Sequence, residues 1–95
     1  MGDKQLRLPE NTVTVDTEAF MGSGVTTVIV PEGTTKLAGG AFAECDELVF
    51  VYLPSTLNSI ADNAFAGSDH VVIIADPISY AVYYATLKDI PWIGR

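Results

Sequence analysis

Apolar and polar positions along the chain form a pattern that recurs about every 23 residues. Residues 28–48 align with residues 51–71 at an offset of 23 without a gap, and their proline, alanine and phenylalanine positions coincide. An earlier copy at residues 6–20 aligns with residues 28–42 at an offset of 22, and a truncated fourth copy starts at Val71. Matched copies of this length indicate a repeat architecture in which each unit stacks on the next.

Each copy contains the same series of elements. An alternating apolar stretch, such as VIV at residues 28–30, predicts a short strand, and the following proline ends it because proline cannot donate the next ladder hydrogen bond. A second apolar position and an Ala-Phe pair then point inward, before a turn of small residues leads to the next strand. A unit this short cannot bury its apolar side chains alone, so we expect strands of successive copies to pair in parallel. The copies therefore predict a solenoid of about four coils.

The chain is predicted to be a single domain, residues 1–95, because the copies cover nearly all of it. Its divisions are predicted as repeat 1 at residues 6–27, repeat 2 at residues 28–50, repeat 3 at residues 51–73, and a partial repeat with a C-terminal cap at residues 74–95.

The predicted cap is a helix over residues 79–88, with Ser79 capping its start. Tyr80, Tyr84 and Leu87 recur at helical spacing, so we expect them to share the face that covers the last coil. Trp92 is predicted to contribute the most to this cover. The alternative is that the helix docks on a partner or a membrane, although its shortage of basic residues disfavours a membrane.

The N-terminal side has no comparable cover. Five residues precede Leu6, too few for a cap helix. Three interpretations remain: the first coil is partly open, the chain is the C-terminal piece of a longer array, or it self-associates there.

The repeated pattern resembles the BspA-type (Treponema-type) leucine-rich repeat. Repeat 3 carries the resemblance best, in VYLP at residues 51–54, Leu57, Ile60 and the Ala-Phe pair at residues 64–65. Cys45 stands at the buried cysteine position of that family, and SYA, YA and IPW in the tail resemble its closing helix and final strand. The resemblance implies a right-handed, leucine-rich-repeat-like stack of about four coils with short parallel strands and a C-terminal helical cap. Four residues depart from the family pattern: Thr12 and Thr34 replace apolar residues, and Ser23 and Ser68 replace the cysteine.

Strand alternation predicts which side chains leave the core. With Val28, Val30, Val51, Leu53 and Ile74 facing inward, one outward row contains Thr27, Phe50 and Ile73, and the other contains Arg7, Ile29, Tyr52 and Ala75. Exposed apolar and aromatic side chains of this kind commonly mark an interface. The alternative is that flanking loops or a neighbouring domain cover these residues. The candidate interaction surface consists of Arg7, Thr27, Ile29, Phe50, Tyr52 and Ile73.

The composition narrows the classes of partner and chemistry. The chain has 12 acidic and 5 basic residues and a formal net charge of −7, which disfavours nucleic acid and anionic membrane surfaces. No apolar run approaches the ~18 residues of a membrane span. One cysteine and one histidine do not provide an internal disulfide, a metal cluster or a convincing nucleophile–base pair, so we expect no enzyme activity, cofactor or metal.

These observations predict a non-enzymatic protein–protein interaction scaffold. The resemblance implies the repeats of bacterial surface and adhesion proteins, with a protein partner on a host or neighbouring cell. The alternative is a structural spacer or C-terminal cap fragment of a longer repeat protein, without a ligand of its own. The first residues lack a signal peptide, so the chain is either cytoplasmic or begins after a removed leader, in which case it is extracellular.

Overall fold

A computed structural model describes residues 4–95. The short strands predicted from the apolar stretches form, and the second apolar positions, predicted only to point inward, lie on additional two-residue strands. In chain order the elements are β1 (Gln5–Arg7), β2 (Thr14–Val15), β3 (Thr27–Ile29), β4 (Lys36–Leu37), β5 (Phe50–Tyr52), β6 (Ser59–Ile60), β7 (Val72–Ala75), α1 (Tyr80–Leu87) and β8 (Trp92–Gly94).

The strands form two parallel sheets that run along the sides of a solenoid of about four coils. The larger sheet has the order β1-β3-β5-β7-β8, and the smaller has the order β2-β4-β6. Every pairing is parallel, as expected when each strand is reached by one complete turn of the chain. The predicted solenoid is confirmed.

The strand register confirms the alignment of the first three copies and corrects the fourth. Leu6 pairs with Val28, and Val28 pairs with Val51, at the offsets of 22 and 23 seen in the sequence. Val51 then pairs with Ile73, whereas the sequence alignment placed Ile74 there.

Because of this one-residue shift, the residues of β7 that were predicted to face outward face inward, and the reverse. Ile73 is 0% exposed, so the prediction that it faces outward is wrong. Ala75 is also fully buried, and Ile74 lies beside Tyr52 in the outward row. A shift of one residue moves every side chain of a strand to the opposite face. The run VVII gave no polar residue from which the alternation could be read.

The core is a column of inward-facing side chains that repeats from coil to coil. The rings of Phe20 and Phe42 stack with centroids 5.5 Å apart, and those of Phe42 and Phe65 stack 5.7 Å apart. Val28, Leu37, Leu48 and Val51 are fully buried between the two sheets. Burying a side chain of this size contributes about 2–3 kcal/mol relative to leaving it exposed, so the coils depend on one another for stability.

Polar residues inside the column bond from one coil to the previous one. The buried Thr34 hydroxyl donates to the Thr12 carbonyl at 2.7 Å, and the Ser68 hydroxyl donates to the Phe42 carbonyl at 2.6 Å. The thiol of Cys45 is buried, as the resemblance implies, and lies 3.3 Å from the Phe20 carbonyl. These bonds explain how hydroxyl side chains replace apolar residues or cysteine without leaving a buried polar atom unsatisfied.

The cap helix forms where predicted and covers the last coil. The Ser79 hydroxyl accepts a hydrogen bond from the Val82 amide at 3.4 Å, which confirms the predicted N-cap. Tyr84 is buried against Phe65, and its hydroxyl donates to the Ala61 carbonyl at 2.9 Å.

Two expectations about the cap are wrong. Leu87 is 63% exposed because the buried face contains Ala81, Ala85 and Tyr84, and Leu87 lies on another side of the helix. Trp92 is 41% exposed on the terminal strand β8, so it is not the main cover of the coil. Val82 is also buried, so the closure of the coil is shared by Tyr84, Val82 and the two alanines.

Candidate interaction surface

The outward face of the larger sheet is formed by two rows of side chains that run across its strands. Alternation along each strand and the parallel register place Thr27, Phe50 and Val72 side by side in one row. The second row continues across all five strands. It consists of Arg7, Ile29, Tyr52, Ile74 and Ile93. These eight residues are called the sheet face below.

The sheet face exposes apolar and aromatic side chains. Phe50 is 41% exposed, Ile93 is more than half exposed, Ile29 and Tyr52 are half-buried, and Ile74 is only 9% exposed. Five of the six residues proposed from the sequence lie on this face: Arg7, Thr27, Ile29, Phe50 and Tyr52. Ile73, the sixth, belongs to the core.

Sequence reasoning missed three members of the sheet face and one residue that lies over it. Val72 and Ile74 were missed because of the one-residue error in β7, and Ile93 because β8 was not aligned with the repeats. The guanidinium carbon of Arg95 lies 5.5 Å from the centre of the Tyr52 ring, a cation–π arrangement. The Arg95 amide donates to the Ala75 carbonyl at 3.1 Å, which holds the backbone beside β7. No sequence pattern signalled this contact across distant positions.

A concave groove adjoins the sheet face where β1 and β3 end. Its volume is about 380 Å³. Arg7 and Ile29 belong to the sheet face, while Pro31, Glu10 and Glu32 belong to the turns that follow the strands. The groove therefore has apolar lining residues, Ile29 and Pro31, together with charged residues of both signs. A shallow site of this composition fits a polar side chain of a docked protein better than a substrate that has to be enclosed.

A second cleft lies beside the cap helix. It has a volume of about 280 Å³ and is lined in part by Asp62, Tyr84 and Lys88. Lys88 and Asp62 form an ion pair at 3.4 Å. Burial, followed by the nearby charges of Asp62 and Tyr80, raises the pKa of Tyr84 to about 12. The phenol is thus protonated at neutral pH and serves as a hydrogen-bond donor to backbone carbonyls, which is a structural role.

Within residues 4–95 no group of three or more His, Cys, Asp and Glu side chains is placed to hold a metal ion. Among the same residues, no helix combines the length and apolar character needed to cross a bilayer.

Taken together, the fold is a parallel solenoid of leucine-rich-type coils closed by one helix, and its candidate site is an open sheet surface. The family model for the BspA-type leucine-rich repeat region (6 copies) matches residues 3–86. The chain belongs to this family of repeats, whose type is associated with protein–protein interaction and is generally non-enzymatic. Neither the search of curated proteins nor that of solved structures found a match to the chain.

Proposed function

We propose that this protein is a non-enzymatic scaffold that binds a protein partner through the sheet face. The observation that carries the proposal is the outward cluster of Ile29, Phe50 and Tyr52 on neighbouring strands. Aromatic residues and arginine are enriched in the centres of protein interfaces, and apolar clusters rimmed by polar groups commonly mark them. Arg7 and Arg95 border this cluster, which gives it an interface-like composition.

The sheet is suited to this role because its five parallel strands hold their outward side chains in a regular register. Strands of a parallel sheet lie about 4.8 Å apart, so five strands span about 19 Å, enough for one extended segment or one loop of a partner. The side chains are held in register by the ladders, so little order has to be created when a partner binds.

We propose a protein as the partner and the bacterial cell surface as the setting. Resemblance to repeats of bacterial surface and adhesion proteins supports attachment to a host or neighbouring-cell macromolecule. The net charge of −7 disfavours nucleic acid and anionic lipid as partners.

The test is a quantitative pull-down in which the sheet face is altered. The Phe50→Ser/Tyr52→Ser double variant removes the aromatic pair, and Ile78→Ser removes an apolar side chain that is almost fully exposed and lies outside the sheet. We expect specific partners to be retained by the native protein and by Ile78→Ser, and to be lost at least tenfold with the double variant. Equal retention by all three proteins contradicts the proposal.

A second candidate function is a structural end piece of a longer repeat array. The observation that favours it is the closure of the last coil by α1, since a terminal coil needs a cover that inner coils do not need. In that case no partner retention depends on the sheet face. Self-association through this face or through the first coil is a further form of the interaction proposal. Light scattering coupled to size exclusion at several concentrations measures it directly.

A further inference from the structure

The charges on the sheet face differ from those of the chain as a whole. The chain has 12 acidic residues and 5 basic ones, yet none of the eight residues of the sheet face is acidic. Arg7 belongs to the sheet face, and the guanidinium of Arg95 lies over it, above the Tyr52 ring. The sheet face together with Arg95 therefore carries two positive side chains, within a chain whose formal net charge is −7.

Both arginines are available to a partner. Arg7 and Arg95 are exposed, and neither guanidinium forms an ion pair with a carboxylate of residues 4–95. Arg95 is nonetheless held in position, because its amide donates to the Ala75 carbonyl at 3.1 Å and its guanidinium carbon lies 5.5 Å from the centre of the Tyr52 ring. The contact with the ring uses the charge of the guanidinium, so its N–H groups keep their capacity to donate to an anion.

The two guanidinium groups lie on either side of apolar side chains. Arg7 stands on β1, and Arg95 lies over Tyr52 on β5, two strands further along the same row, a distance of about 10 Å. Ile29 occupies the strand between them, and Phe50 lies exposed on β5 on the same side of the sheet as Tyr52. A partner segment that packs an apolar side chain here therefore brings its neighbouring side chains to the two arginines.

Carboxylates of the chain lie at one edge of the sheet face. Glu10 and Glu32 line the groove beyond the ends of β1 and β3, and Asp76 follows β7. A long polyanion laid across the sheet meets these groups and the remaining negative charge of the chain. A short segment with one or two carboxylates binds away from that edge, where charges more than about 8 Å distant are largely screened at physiological salt.

We propose that the sheet face binds an acidic peptide segment of the partner. An apolar or aromatic side chain of this segment packs on Ile29 and Phe50, and neighbouring Asp or Glu side chains pair with Arg7 and Arg95. The inference rests on the proposed function and names the chemistry of its partner. Guanidinium groups suit this role because they donate two parallel N–H groups to one carboxylate. The apolar contacts supply buried area, and the arginines select an acidic segment over a neutral or basic one.

The first test selects ligands from a phage-displayed library of random peptides of about ten residues, longer than the roughly six that span the sheet. Phage that bind the native protein are kept, and those that also bind the Phe50→Ser/Tyr52→Ser double variant are removed. The peptides that remain depend on the sheet face. We expect them to be enriched in Asp and Glu around an apolar or aromatic residue. Enrichment in Lys and Arg, or no preference for charge, overturns the inference.

The second test measures the affinity of the selected peptides by fluorescence anisotropy. We expect Arg7→Gln and Arg95→Gln each to weaken binding about fivefold or more, and salt at about 0.5 M to remove most of this difference. Lys36→Gln is the matched control, since it removes an exposed positive charge from β4 in the smaller sheet, and it is expected to change binding by less than about twofold.

Arg95→Gln gives the sharper reading of the two variants. It also uncovers part of the Tyr52 ring, so a purely apolar mode of binding is strengthened by it, whereas the proposed mode is weakened. Native or higher affinity of the peptides for the arginine variants therefore overturns the inference. Circular dichroism confirms that each variant keeps the fold of the native protein.

The outcomes distinguish this inference from the proposed function. Selected peptides that depend on Phe50 and Tyr52 but lack acidic residues leave the sheet face as the binding surface, and overturn only its preference for carboxylates. If no selected peptide depends on these two residues, the inference and the proposed binding surface are both overturned. A DNA duplex that binds as tightly as the peptides would show that the sheet face accepts any anion, which also overturns the inference.

Discussion

The two ends of the solenoid differ in how far they bury the phenylalanine of the repeat. At the C-terminal end, Phe65 is buried because Tyr84 of the cap helix packs against it, with ring centroids 6.4 Å apart. At the N-terminal end, the ring of Phe20 stacks on that of Phe42 and stays partly exposed. The same residue at the same position of two repeat copies is therefore buried to a different extent, according to the side chains that pack on its outer side. The difference between the ends is set by the neighbours, not by the repeat itself.

The largest expected effect compares the middle of the ring stack with its open end. Phe42→Ala is expected to lower the free energy of unfolding by about 3–5 kcal/mol, because it leaves a cavity between two rings. Phe20→Ala is expected to cost less than half as much, since this ring is covered on one side. Urea denaturation of both variants measures the two changes. Equal losses would show that the open end is as well packed as the middle.

The next effect compares equivalent hydroxyls in different coils. Ser68→Ala removes a donor to the Phe42 carbonyl and an acceptor for the Cys45 amide, so we expect a loss of about 1–3 kcal/mol. Ser23→Ala is the matched control and is expected to change stability by less than about 0.5 kcal/mol. Thermal unfolding checks the pair, and a large cost for Ser23→Ala would contradict the contrast.

A smaller effect concerns the closed end and depends on pH. The pKa of Tyr84 is raised by burial from 10.0 to about 12, so folding favours its protonated form. This stabilising contribution is fully present below pH 10 and is lost as the pH rises toward 12. Tyr84→Phe keeps the ring but loses the hydrogen bond to Ala61, for which we expect a cost of about 1 kcal/mol at pH 7.

Unfolding experiments at pH 8 to 11.5 compare this variant with the native protein. The difference between the two is expected to shrink as the pH rises. A difference that stays constant across this range would show that Tyr84 titrates normally.

The smallest expected effect is on the sheet face. Phe50→Ser combined with Tyr52→Ser is expected to change the free energy of unfolding by no more than about 1 kcal/mol, because these side chains lie outside the core. Circular dichroism and urea denaturation, with Ile78→Ser as the control, measure this change. A loss comparable to that of Phe42→Ala would mean that the sheet face is part of the core.

The sequence was sufficient where full copies of the repeat align without a gap. Val28 and Val51 are flanked by residues whose matches in two full copies fix the register, and the pairing of β3 with β5 follows the predicted offset. Thr27, Phe50 and Tyr52 were placed correctly for the same reason. The positions of the buried Phe20–Phe42–Phe65 column could likewise be read from the repeated Ala-Phe pair.

The sequence was insufficient where neighbouring positions are equally apolar or depend on distant contacts. In the run VVII either register buries two apolar side chains, so the sequence does not distinguish them. The structure pairs Val51 with Ile73. Val71 and Ile73 are therefore two positions apart, whereas the equivalent residues Leu48 and Val51 are three positions apart. Helical spacing grouped Tyr80, Tyr84 and Leu87, but the close approach permitted by Ala81 and Ala85 decides which side of α1 is buried. Periodicity gives candidate faces, and packing chooses among them.

The position of Cys45 has a practical consequence. Its thiol is the one thiol in the sequence, it is fully buried, and it lies against the Phe20 carbonyl. A thiol reagent must reach the sulfur to react, so the coils that cover Cys45 have to separate before labelling occurs. The labelling rate of the native protein therefore measures how often the stack opens around Cys45, without any added probe.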